Sequence, residues 1–230
     1  MNPTIHVWDA QTLETLVVLP TQHKGGVLHL MFSNDGQKIV SIGMDRCFSI
    51  QIFIWRQKRS LAYRNSGYFP VFGIKFDPYD QSSFYTCGYQ HLARWKVDGS
   101  NLTCVDYQNV YNTHVPQSDA ARLDRREPSP EEVLDYQLNQ KNILLCMDFI
   151  SFRLGHSIQS DVIIGNNLGD ISTYCSGKYF VLHEQAHPGV PINCLRVTNS
   201  LSLDQKTVMV VTGGEDGLVK IWDASIELRQ

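Results

Sequence analysis

The stretch His183-Glu184-Gln185-Ala186-His187 carries the H-E-x-x-H pattern, in which two histidines grip a zinc ion and the glutamate serves as general base. That chemistry requires a helix, where positions i and i+4 share one face. Here the pattern lies between the strand-like Tyr179-Phe180-Val181-Leu182 and a Pro188-Gly189 turn. In an extended chain rising ~3.3 Å per residue the two imidazoles stand ~13 Å apart, too far to share a metal. No zinc and no other cofactor is expected. A second set, His23, Ser41 and Asp45, offers a base, a hydroxyl and a carboxylate, the residue types of nucleophilic catalysis. The same types recur in the same order as His187, Thr212 and Asp216, and each set ends on a tryptophan, Trp55 or Trp222. A catalytic triad is needed once. A set that recurs and terminates on a donor-only indole reads as a structural hydrogen-bond network, with the hydroxyl and imidazole passing the bonding on to a carboxylate. No other convergent catalytic set or phosphate-cradling glycine loop is visible, so a non-enzymatic protein is expected.

The remaining reactive side chains are less specific. The cysteines Cys47, Cys87, Cys104, Cys146, Cys175 and Cys194 include no C-x-x-C pair, and most sit in apolar runs. Buried, reduced thiols of a cytosolic protein are the expectation, with disulfides the alternative. Asn101-Leu102-Thr103 is a glycosylation sequon, read as chance because Met1 to Ala10 lacks the pattern of a secretory signal. Arg56-Gln57-Lys58-Arg59 is a basic loop: a solvated surface, or, in the sharper reading, the contact for an acidic partner, carried by Arg56, Lys58 and Arg59.

The elements that hold these residues repeat. Ile5-His6-Val7-Trp8-Asp9 returns as Val219-Lys220-Ile221-Trp222-Asp223, with Phe53-Ile54-Trp55, Ala93-Arg94-Trp95 and Ile171-Ser172-Thr173-Tyr174 between. The intervals between the closing aromatics are 47, 40, 79 and 48 residues, the long one holding an insertion. A period of ~40–45 residues closing on Trp-Asp marks a propeller blade. Short strands fall before each closing aromatic: Val27 to Phe32, Lys38 to Ile42 and Phe48 to Trp55, with an Asn34-Asp35-Gly36 turn. Val71 to Phe76, Ser83 to Thr86 and His91 to Val97 form the next repeat. Ile143 to Ile150 and Asp161 to Ile164 follow, and then Ile192 to Val197, Thr207 to Thr212 and Leu218 to Trp222. Strands without helices between them exclude a βαβ fold and fit radial four-stranded blades. Two repeats lack the network residues: one has Tyr68 and Gln90 at the His and Asp positions, the other Leu168 and Tyr174 at the Asp and Trp positions.

The expected fold is therefore an all-β WD-repeat propeller spanning 1–230, as a partial ring of about four to five blades. The insertion at 110–141 is expected as a loop with a short helix from about Pro130 to Leu138, started by Ser129-Pro130-Glu131-Glu132. A seven-bladed ring needs about 300 residues, so completion by missing sequence or by a neighbouring chain is expected. With 43% hydrophobic and 19% charged residues the chain is globular. A net charge of −3 disfavours nucleic acid, and no apolar run reaches the ~20 residues of a membrane span.

The run Phe84-Tyr85-Thr86-Cys87-Gly88-Tyr89-Gln90-His91-Leu92-Ala93-Arg94-Trp95 resembles a strand–turn–strand of the echinoderm microtubule-associated protein-like family, where a similar Cys-Gly-x-x-His run precedes an atypical Trp. Ile5 to Leu19, Gly25 to Ile42 and Gly189 to Asp223 are similar too, the last with its Val211-Thr212-Gly213-Gly214-Glu215-Asp216-Gly217 turn. Gly169-Asp170-Ile171, Gly177 and Ala186-His187 match the family's blade order. The resemblance implies a tandem propeller that associates with microtubules. Its expected partners are tubulin or other microtubule-associated proteins, and its expected location is the cytoplasm and cytoskeleton, including the ciliary axoneme. A general scaffold or adaptor in an unrelated cytosolic complex is the alternative.

Overall fold

The computed structural model describes residues 2–67, 70–89, 91–106, 143–154, 157–175, 178–198 and 208–224. The inserted loop with its helix, and the positions Tyr68 and Gln90, lie outside the described residues. The described residues form seventeen strands in five antiparallel sheets. The first sheet is a hairpin, β1 (Thr4–Trp8) with β2 (Thr15–Pro20). The second runs β3 (Val27–Phe32), β4 (Lys38–Gly43), β5 (Ile50–Ile54), β6 (Arg59–Arg64). The third runs β7 (Val71–Phe76), β8 (Ser83–Gly88), β9 (His91–Asp98), β10 (Asn101–Asp106). The fourth is β11 (Leu144–Leu154), β12 (Ser157–Asn166), β13 (Ile171–Cys175) and β14 (Lys178–His183). The last has three strands, β15 (Ile192–Thr198), β16 (Met209–Gly214) and β17 (Val219–Asp223). Each complete blade is a four-stranded meander in sequence order.

The core sits between blades. Alternation along each strand gives every sheet two faces, and each face needs a neighbour. Ile5, Val7, Val17 and Leu19 of the first hairpin pack on Ile39, Phe53 and Trp55. The opposite face of that second sheet, with Val40, Ile42, Ile50 and Ile52, meets Val71, Phe84 and Trp95. Leu92, Phe149, Val162 and Ile164 close the next interface, and Ile150, Ile163, Ile192 and Leu195 the last. Phe84 and Trp95 lie almost parallel with centroids 6.2 Å apart.

One irregularity recurs in all four inner pairs. The register slips by a residue between Val27 and His29, Val71 and Gly73, Leu144 and Cys146, and Ile192 and Cys194. Bulges of this kind bend and twist a strand, which lets successive blades fan out around an axis. Next to that axis, Asp148 on β11 ties three blades together. It receives Lys75 Nζ from β7 at 3.0 Å and the Val197 amide from β15 at 3.1 Å, with Arg196 Nη1 at 3.9 Å.

Among the described residues no strand pairing joins β1 or β2 to β17, so Trp8 and Trp222 belong to different sheets. The outermost strands β6 and β10, with β2, escaped the sequence reading because half of each faces water, which dilutes the apolar signal. The third strand of the second sheet also ends earlier than expected. Trp55 leaves it and opens a 3-10 turn, Trp55–Gln57.

Replacing Asp148 with Ala should lower the denaturant midpoint by about 1–3 kcal/mol of stability, because Lys75 and the Val197 amide lose their acceptor. An unchanged midpoint in urea unfolding would show that blades β7–β10 and β15–β17 are held without it.

Candidate functional site

The polar networks can be built upward from the strand register. In the last sheet Thr212 on β16 stands opposite Lys220 on β17, so Trp222, two residues on, brings its indole back over the hydroxyl. Trp222 Nε1 donates to Thr212 Oγ1 at 2.9 Å, and Thr212 meets His187 Nε2 at 2.8 Å. His187 Nδ1 reaches both carboxylate oxygens of Asp216 at 2.9 Å. The indole can only donate, which fixes the direction of the whole chain. The hydroxyl donates to Nε2, and Nδ1–H donates to the carboxylate. Burial pushes Asp216 up, but the bonds from His187 and the Leu218 amide leave it below the usual carboxylate range. Gly214 is required beside this ring: a Cβ there would lie 2.3 Å from His187 Nδ1.

The H-E-x-x-H pattern is split between two tasks. His183 ends β14 and its ring packs on Trp222 with centroids 4.3 Å apart. His187 commits both ring nitrogens to Thr212 and Asp216.

The set His23, Ser41, Asp45 and Trp55 is assembled differently from the expectation. His23 Nε2 does meet Ser41 Oγ at 2.7 Å, but its Nδ1 meets Ser49 Oγ at 2.7 Å, and Ser49 then donates to Asp45. His23 Nδ1 and Asp45 are 3.9 Å apart. Trp55 is not a member: its Nε1 donates to the Gly36 carbonyl at 2.7 Å. The cause is loop length. Gly43 bonds across its turn to Ser49, whereas Gly214 bonds to Leu218, so the first turn is two residues longer. Ser41 therefore stands opposite Gln51, and Phe53 falls where Trp222 would be. The extra residues supply Ser49 as a relay. Trp55, displaced beyond the strand, packs against Phe32 and carries Arg56 over its ring at 4.2 Å.

A third network was missed. Trp95 Nε1 donates to Thr86 Oγ1 at 2.8 Å, and Thr86 meets His91 Nε2 at 2.6 Å. His91 comes from the third strand of the sheet rather than from the loop before the blade, and burial drives its pKa down to about 4. The signal was present in the sequence: Thr86 and Trp95 are nine residues apart, and Thr212 and Trp222 ten. The fourth sheet has Ile164 in the hydroxyl slot, opposite Ser172.

Arg56 and Lys58 occupy the exposed turn between β5 and β6, where Lys58 adopts a left-handed conformation, and the exposed Arg59 opens β6. Among the described residues no group of three His, Cys, Asp or Glu side chains could hold a metal ion.

The radial meanders and their indole–hydroxyl–imidazole relays define a WD-repeat β-propeller. Residues 179–223 match the family described as WD domain, G-beta repeat. The chain is similar to echinoderm microtubule-associated protein-like 1 of Homo sapiens, 29% identical over 105 residues, covering 44% of this chain and 13% of that protein. It is similar too to echinoderm microtubule-associated protein-like 4 of Mus musculus, 28% identical over 106 residues, 45% of this chain and 11% of that protein. The chain thus matches only a small part of the length of these relatives. Among solved structures, the β-propeller domain of Cps50 (Swd1) from Myceliophteria thermophila superposes with a TM-score of 0.62 at 13% identity, over 96% of this chain and 61% of that one. The computationally designed Ika8 protein gives 0.58 at 16% identity, over 97% and 53%.

Thr212→Val should cost about 1–3 kcal/mol in chemical denaturation, because an indole N–H and an imidazole nitrogen lose their partner together. Trp55→Phe, which loses a single bond to a main-chain carbonyl, should cost less, about 0.5–1.5 kcal/mol. Equal losses would place Trp55 in the relay after all.

His91 is neutral when folded, with its pKa depressed from 6.5 to about 4. Its contribution is fully present above about pH 6.5 and is lost as pH falls toward 4, where the unfolded chain takes the proton first; up to about 3 kcal/mol is at stake. Stability measured between pH 7 and pH 4 should therefore fall less steeply in His91→Gln than in the wild type. Parallel profiles would remove His91 as the source.

Proposed function

We propose that this chain is a non-enzymatic protein-binding module that associates with microtubules, through tubulin or through other microtubule-associated proteins. The observation that carries the reading is its similarity to echinoderm microtubule-associated protein-like 1 over 105 residues and to echinoderm microtubule-associated protein-like 4 over 106. The geometry supports a binding role. The relays lie inside the blades, with His23, Ser41, His187 and Thr212 fully buried, so their reactive groups meet no substrate. What the blades hold up is a rigid display of loops, the usual seat of recognition on a fixed scaffold. The cytoplasm and cytoskeleton, with the ciliary axoneme as one destination, follow from the same reading. In the protein at work, sequence beyond this chain or a neighbouring chain completes the ring.

A general scaffold in a complex without microtubules is the second reading, favoured by the partial cover of the relatives. Co-sedimentation with stabilised microtubules over a salt series separates the two. Recovery in the pellet at low salt supports the first, and a chain that stays in the supernatant at every salt supports the second.

If Arg56, Lys58 and Arg59 contact an acidic surface, reversing all three to Glu should weaken pelleting most at low salt, where the Debye length is longest. Equal binding by wild type and triple variant would make this turn plain solvated surface.

A further inference from the structure

Glycine follows aspartate three times in the chain, at Asp35-Gly36, Asp98-Gly99 and Asp216-Gly217. Each pair sits at a turn between strands, each aspartate is exposed, and a Cβ at each glycine would meet nothing within 4 Å. The Asp-Gly step has a chemistry of its own. The glycine amide nitrogen attacks the side-chain carboxyl carbon of the aspartic acid. A C–N bond forms, the C–OH bond breaks, and the hydroxyl leaves as water with the amide proton. Water then opens the five-membered succinimide. Attack at the main-chain carbonyl leaves isoaspartate, with the chain running through the former side chain, and attack at the other carbonyl restores aspartate. Access is equal at the three pairs, so the reaction is decided by whether carboxyl and amide are otherwise engaged.

At two pairs they are. Asp35 Oδ1 accepts the Ser33 hydroxyl and the Gln37 amide, and the Gly36 amide donates to the Ser33 carbonyl at 2.8 Å. Ser33 and Gln37 hold the Asp35 carboxyl below its usual range, in the charged form that has no hydroxyl to expel. Asp216 accepts His187 Nδ1 and the Leu218 amide, and the Gly217 amide donates to the Gly214 carbonyl at 3.2 Å. Asp98 differs. It closes β9 opposite Asn101, leaving a loop of Gly99 and Ser100 alone. Gly99 has φ 55°, the positive φ that such two-residue hairpins require. Among the described residues no donor reaches the Asp98 carboxylate, and the Gly99 amide finds no acceptor. The sheet β7–β10 is packed on one face by β3–β6 and on the other by β11–β14. The insertion leaves from the far end of the hairpin, beyond Asp106 opposite Ala93. The turn is thus a bare tip on a sheet with neighbours on both sides.

We propose that Asp98 is a site of spontaneous isomerisation to isoaspartate, and that the aged chain becomes a substrate for an L-isoaspartyl O-methyltransferase. Such an enzyme moves the methyl group of S-adenosylmethionine onto the new main-chain-derived carboxylate. The change matters to the fold because it adds one atom to the main chain inside a two-residue loop, which has no slack to absorb it. The register of β9 with β10 is disturbed first. Leu102, buried between sheets, and its carbonyl, which accepts Arg64 Nη1 from β6 at 3.0 Å, sit next to the damaged turn. Isomerisation therefore loosens an outer strand at a contact between two blades, whatever partner the protein serves.

The test ages the whole chain at 37 °C near pH 6, folded in one sample and unfolded in guanidinium chloride in another. Peptide mapping by mass spectrometry reads isoaspartate at each Asp-Gly pair, and methyl uptake from labelled S-adenosylmethionine by a purified isoaspartyl methyltransferase reads the total. In the folded sample Asp98 should carry at least fivefold more isoaspartate than Asp35 or Asp216, and in the unfolded sample the three should agree within twofold. Asp98→Glu, which cannot close the five-membered ring, should remove most of the methyl uptake of the folded chain at an unchanged unfolding midpoint. Ser33→Ala, which releases the Asp35 carboxylate, should raise isoaspartate at Asp35. Equal levels at the three pairs in the folded chain, or none at Asp98, overturn the proposal. A fivefold bias that persists in guanidinium chloride overturns it too, because neighbouring residues rather than the turn would then be the cause.

Discussion

Everything in this molecule depends on face-to-face burial of one sheet against the next. A sheet of alternating residues has two apolar faces, or one apolar and one polar, and only a neighbour can take each apolar face out of water. The four interfaces, from the hairpin on β3–β6 to β11–β14 on β15–β17, are the hydrophobic core divided into slices. The repeated bulge bends and twists each inner strand where the slices converge. Asp148 then joins the inner strands of three of them where the blades converge.

The relays solve a second problem that burial creates. Packing a tryptophan between blades also buries an N–H that must find an acceptor. Thr212 and Thr86 provide it, and the histidine behind each hydroxyl takes the proton that the hydroxyl still has to donate. The histidine need not come from one place in the chain. His187 arrives from the loop before its blade and His91 from the third strand, yet both put Nε2 at the same hydroxyl. What is held constant is the geometry around the hydroxyl, because that is where a buried donor would otherwise go unmet.

The same logic explains why the second sheet tolerates its variation. Phe53 in the indole slot carries no N–H, so Ser41 has no donor to receive and turns to His23 and the Gln51 carbonyl. Trp55, released from the relay, serves the outside of the blade, where it seats the hairpin, contacts Phe32 and holds Arg56. A residue that closes a blade elsewhere is here buried between the hairpin and the second sheet, and the exposed basic turn is organised around it.

Much of this was legible in the sequence. The repeat interval, the closing aromatics and the alternation of Val27 to Phe32 or Val71 to Phe76 determined blades, because the strand period and the blade period are both one-dimensional patterns. The His187–Thr212–Asp216–Trp222 set could be read for the same reason, since its loop has the regular length. The tertiary structure decided the rest. A turn two residues longer moved Trp55 out of register, and only strand pairing reveals which residue stands opposite Ser41. His91 could join Thr86 because β8 and β9 form a tight hairpin, an adjacency that carries no fixed spacing signature. The exposure of Leu30 and Phe32 is likewise invisible in sequence, where Val27 to Phe32 looks like any inner strand. Exposure depends on what lies across the face, and that is a property of the assembled sheets alone.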